Sequence, residues 1–149
     1  MTIARHLATI DRLCSRPFPA EHGRSDAGSE GPGYHLAELA TSGDFWDGDL
    51  TAVEETEEQY EAERDALSER LADRWGTPQR FSLWSIFERS QSGEQIPEPW
   101  GTLGSHVPDV HLWQVKADGG DRWVALGVSQ WDRELPFQLV AVVTTVDPP

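Results

Sequence analysis

The chain has 149 residues, 38% of them hydrophobic, and sets 26 acids against 12 Lys and Arg for a formal net charge of −14 at pH 7. That length suits one domain over 1–149 with a sizeable core, and the charge argues against nucleic acid and anionic membranes as partners, since both need clustered Lys and Arg. No apolar run approaches the roughly 18 residues that cross a bilayer, the opening MTIARHLATIDRLC lacks the apolar stretch of a signal peptide, and Cys14 has no second cysteine to pair with, so the reading is a reducing cytoplasm.

In chain order, residues 1–19 hold a short amphipathic helix over 2–14, with Ile3, Leu7, Ile10 and Leu13 on one side. Pro17 and Pro19 end it, because they and the residues before them reject the α region. Residues 20–33 are polar, Gly-rich and aperiodic, the composition of a flexible loop, and the α+β core is placed over 34–149. The stretch 34–40 is a strand or one to two helical turns, and 41–48 is an acidic turn.

The main helix is predicted over 49–76. Thr51 with Glu54 reads as a capping box, with Asp49 as the alternative cap. Val53, Tyr60, Leu67, Leu71 and Trp75 recur at steps of seven or four, which places them on one stripe of a 3.6-residue helix. Gly76 stands where a left-handed C-cap is wanted and Pro78 bars continuation. Acids crowd the first half while Arg64, Arg70 and Arg74 occupy the second, an order that complements the helix dipole.

Beyond the helix the apolar period drops to two. Residues 80–89 read as a central strand, with Phe81, Leu83 and Phe87 on one face and Trp84 and Ile86 on the other. Residues 90–108, broken by Pro and Gly, read as an irregular connection. Strands follow over 110–116, 122–130 and 137–146, joined by Gly-rich turn chemistry at 117–121 and a second turn at 132–136. The expected fold is α+β: a four-stranded antiparallel meander covered on one face by the long helix, with a short N-terminal helix beside it.

Several constellations resemble chemistry without its full pattern. Asp44, Asp47 and Asp49 are oxygen ligands in type, but counting from Asp44 puts Trp46 and Gly48 where a calcium loop needs acids. His106, Asp109 and His111 form a mixed donor set, yet Pro108 keeps the backbone extended and the spacing matches no zinc signature. Ser129 in GVSQW lacks the glycine pattern and turn of a nucleophile elbow. Cys14 falls on an apolar helix face, where it reads as a small hydrophobe. No catalytic residue, metal or cofactor is assigned on these grounds.

What stands out is charge placement. Between residues 41 and 63 nine acids occur without one cation, about two-thirds of the whole excess. A field focused in this way steers cationic partners, and Trp46, inside the same segment, has the amphipathic surface of an interface anchor. The functional expectation is a non-catalytic module that engages a basic protein, of which an immunity or antitoxin-like inhibitor is one form. Its partner-binding residues are Asp44, Trp46, Asp47, Glu54, Glu57, Glu58 and Glu61. Three alternatives stand beside it: an acidic face kept for solubility, an assembly subunit joined through a sheet edge or the N-terminal helix, and an enzyme or small-molecule binder with His106, Asp109 and His111 at a pocket rim.

Overall fold

The computed structural model describes residues 2–43, 50–117, 120–132 and 135–149. In chain order the elements are α1 (Thr2–Ser15), β1 (Gly23–Arg24), β2 (Gly28–Gly31), β3 (Tyr34–Thr41), α2 (Leu50–Trp75), β4 (Gln79–Ser82), α3 (Trp84–Gln91), α4 (Trp100–His106), β5 (Asp109–Ala117), β6 (Gly120–Ser129) and β7 (Gln138–Thr144). The strands form one seven-stranded sheet ordered β1-β2-β3-β7-β6-β5-β4, antiparallel throughout. The α+β class stands, but the four-stranded expectation is corrected to seven.

Three strands make up the difference. β3 takes the strand alternative of the 34–40 stretch and pairs with β7 from Tyr34↔Thr144 to Thr41↔Gln138, which moves β7 from the sheet's edge to its middle. β1 and β2 lie inside 20–33, the segment read as a loop. Its glycines misled: a Cβ on Gly28 would stand 2.3 Å from the Leu36 carbonyl oxygen, so this glycine marks close backbone approach of β2 to β3 rather than a turn.

The single-face cover is corrected as well. One buried cluster joins Ile10 and Leu13 of α1 and Tyr60, Leu67 and Leu71 of α2 to Leu139, Ala141 and Val143 of β7. A second joins Ile86 of α3 and Trp100 and Leu103 of α4 to Val140 and Val142 of the same strand. Successive side chains of a strand point to opposite faces, so the sheet is packed on both sides, and the unbroken apolar run of β7 is the signature of that burial.

Two segments change type. Only Gln79–Ser82 of the expected 80–89 strand pairs with β5; Trp84–Gln91 is helical, with Leu83 and Ile86 fully buried three residues apart. A short apolar run of this kind fits both periods. The connection 90–108 contains α4, whose Trp100 and Leu103 are also fully buried at helical spacing. A Cβ on Gly104 would stand 3.2 Å from Ile86 Cγ2, so this glycine lets α3 and α4 pack closely.

The long helix follows expectation. Tyr60, Leu67 and Leu71 are buried, and Val53 and Trp75 pack half-buried on the same cluster. Gly76 takes φ +87°, and its carbonyl accepts the Trp113 indole N–H at 2.8 Å, tying the helix end to β5. α2 starts at Leu50, so Thr51 is already inside it, and Asp49, the alternative cap, lies outside the described residues. α1 is held at its C-terminal end by Arg122, whose Nη1 donates to the carbonyls of Leu13 and Arg16 at 3.3 Å each. A cation at that end complements the helix dipole.

Candidate functional site

α2 positions the candidate acids. Glu54, Glu57, Glu58 and Glu61 sit three and four residues apart on its exposed side, so they are neighbours on the helix surface. Among the described residues none of the four has a cationic partner. The Glu57 carboxyl lies above the usual carboxylate range, first because it is partly withdrawn from water and then because Glu61, Glu54 and Glu58 repel its charge. Asp44, Trp46 and Asp47 lie outside the described residues.

The fold divides these acids. Glu57 and Glu61 line a cavity of about 340 Å³ whose other walls include Arg64, His106, Asp109, Gln130 and Phe137. Glu54 and Glu58 do not line it. Arg64 is already engaged, with Nε 3.1 Å from Asp65 and Nη1 3.7 Å from Asp109. Among the described residues the carboxylates of Glu57 and Glu61 therefore face the cavity without a cationic partner of their own.

His106, the last residue of α4, forms the floor of interest. Its Nδ1 is 2.7 Å from Ser129 Oγ at the end of β6, and its ring stacks on Trp131 at 3.8 Å between centroids and 16° between planes. The side chain is 7% exposed. Burial pushes its pKa down to about 4, with Glu38 opposing weakly, so the ring is neutral at physiological pH. Nε2 is buried without a hydrogen-bond partner. A neutral imidazole with one nitrogen occupied can donate or accept one hydrogen bond at the other.

The pair is not a nucleophile and its base. Ser129 is 0% exposed, so its hydroxyl cannot reach a substrate carbonyl. The exposed faces of this corner instead come from Trp131 and from Asp109.

The second histidine of HVPDVH plays a different part. His111 Nδ1 is 2.8 Å from Ser68 Oγ, a buried link between β5 and α2. Burial first, then the neighbouring Arg64, lowers its pKa. His106 and Asp109 thus meet one cavity while His111 faces the core. Among the described residues no three His, Cys, Asp or Glu side chains stand close enough to hold a metal ion. Cys14 is half-buried with its pKa raised to about 11, chiefly by burial and then by Asp11, so its thiol stays protonated.

Sequence reasoning singled out Glu57, Glu61, His106 and Asp109 separately and had no means of placing them on one cavity. Arg64, Ser129 and Gln130 carried no signal as site residues; Ser129 and His106 are 23 residues apart in the chain. Among the described residues no helix is long and apolar enough to cross a membrane.

Fold and site together define an acidic α+β domain with a seven-stranded antiparallel sheet and a charged cavity beside the middle of its long helix. No protein-family model, curated protein or solved structure matches this chain.

Proposed function

We propose that this chain is a non-catalytic binding module whose acidic surface on the first half of α2 engages a basic protein. The observation that carries the reading is the absence of cationic partners, among the described residues, for Glu54, Glu57, Glu58 and Glu61 on one exposed face. Fold stability does not ask for this arrangement: like charges three and four residues apart repel by a few tenths of a kilocalorie per pair, and the dipole benefit of acids fades after the first helical turn. A cationic surface docked against them relieves that repulsion. Asp44, Trp46 and Asp47, which precede α2 in the sequence, belong to the proposed partner-binding set, with Trp46 as its apolar anchor. Inhibition of a cationic protein, in the manner of an immunity or antitoxin protein, is the specific form of the proposal, in the cytoplasm and without nucleic acid as partner.

The test uses the product of a basic reading frame adjacent to this chain's own gene, purified and titrated calorimetrically at about 0.05 M and about 0.5 M salt, where screening lengths differ by roughly threefold. The reading expects tight association at low salt and at least about a tenfold loss at high salt. An affinity indifferent to salt contradicts it.

A further inference from the structure

Among the described residues four large apolar side chains stand exposed, Leu50, Trp84, Trp131 and Leu135. Three of them converge on the corner that holds His106. Trp84 is 62% exposed and pairs its ring with Phe87 at 5.6 Å on α3. Together with Leu83, Val107 and Pro108 these rings line a groove of about 250 Å³ between α3 and α4. Trp131 lies stacked on His106, and Leu135 sits on a turn that Gln130 holds, its Nε2 donating to the Leu135 carbonyl at 3.2 Å.

This groove is not separate from the acidic cavity. His106, Pro108 and Gln130 are walls of both. On one side of that shared wall are Glu57 and Glu61, without cationic partners among the described residues; on the other is an apolar groove. Within the wall itself His106 holds a buried Nε2 without a hydrogen-bond partner. An exposed aromatic cluster rimmed by polar groups marks an interaction surface, and the adjoining negative charge selects what enters it.

We infer that the corner is a two-part docking site for a protein segment in which an Arg or Lys adjoins a large apolar residue. The basic head enters the cavity between Glu57 and Glu61, and the apolar neighbour fills the groove on Trp84 and Phe87. Nucleic acid fits neither part, since the cavity repels phosphate. The inference rests on the basic-partner reading and adds to it the chemistry of the segment that is recognised.

The experiment selects random heptapeptides displayed on phage against the intact chain. The inference expects enriched sequences that place Arg or Lys next to Phe, Trp or Leu. Binding of a selected peptide should weaken at least tenfold in Trp84→Ala, in the pair Glu57→Gln with Glu61→Gln, and when the peptide's own apolar residue becomes Ala. That last change leaves the fold of the protein untouched. Enrichment of basic residues with no apolar neighbour, or unchanged affinity after the peptide's apolar residue is truncated, overturns the groove's role and leaves the basic-partner reading standing. Enriched peptides without a basic residue, or no enrichment, overturn both.

Discussion

The two halves of α2 are one helix made for different ends. In the second half Leu67, Ser68 and Leu71 are buried, and two of its arginines are engaged: Arg64 with Asp65 and Asp109, Arg74 with Asp11 of α1 at 2.6 Å. In the first half only Tyr60 is fully buried, and Glu54, Glu57, Glu58 and Glu61 project without cationic partners among the described residues. Charges in the second half bind the helix to its neighbours. Those in the first half face outward or into the cavity, and the account expects the fold to be no weaker without them. The difference teaches where to look for function: at charge that the structure leaves uncompensated.

The sharpest way to break this comparison is to cut into the packed half. Leu67 is fully buried among α1, α2 and the sheet, so Leu67→Ala should cost about 2–5 kcal/mol in urea denaturation. A loss below about 0.5 kcal/mol, the range of surface changes, would mean that the second half is not the anchored one.

Burial lowers the pKa of the histidine in both His–Ser pairs, with the larger shift at His106. His106 titrates at about 4 in the fold, against 6.5 as its ordinary value. Between those values the unfolded chain binds a proton that the fold refuses, so this contribution to stability is complete above pH 6.5 and shrinks as pH falls toward 4. The bound on the loss is roughly 3 kcal/mol. His106→Asn should flatten that limb of the stability curve relative to the parent, and a parallel curve would show that His106 is not the group responsible.

Ser68→Ala comes next in size. It leaves His111 Nδ1 buried without its partner and should cost about 1–3 kcal/mol, whereas no ligand binding should change. Smallest is the first half itself. Glu57→Gln removes one carboxylate from a repelling group and should stabilise the free chain by about 0.2–0.5 kcal/mol. Destabilisation by more than that would show that Glu57 holds the fold, against the comparison.

Much of the fold was legible because its signals are local and redundant. Five apolar residues at helical steps mark α2, and the β-branched run of β7 marks a buried strand. What was hidden depends on neighbours far along the chain. Gly28 reads as a loop residue until β3 is beside it, and Gly104 reads as a breaker until Ile86 packs where its Cβ would be. Leu83 and Ile86 read as opposite faces of a strand, although both are fully buried, because seven residues cannot discriminate a period of two from 3.6. The same limit applies to the site. The acidic excess pointed to Glu54, Glu57, Glu58 and Glu61 as a group, but only the fold, which brings His106, Asp109, Gln130 and Phe137 beside α2, separates Glu57 and Glu61, which line the cavity, from the other two. His106 was grouped in the sequence with Asp109 and His111; its distinctive feature, a buried nitrogen without a hydrogen-bond partner beside the Ser129 and Trp131 contacts, needs the fold.

The central claim is that the acids of the first half serve binding and not folding. Replacing Glu57, Glu58 and Glu61 together with Lys tests it most directly, with thermal unfolding and calorimetric titration of the basic partner measured on the same samples. The account predicts an unfolding midpoint equal to or above the parent's and no detectable association with the partner. A triple variant that binds as tightly as the parent, or one that binds poorly only because it has lost its fold, would contradict it.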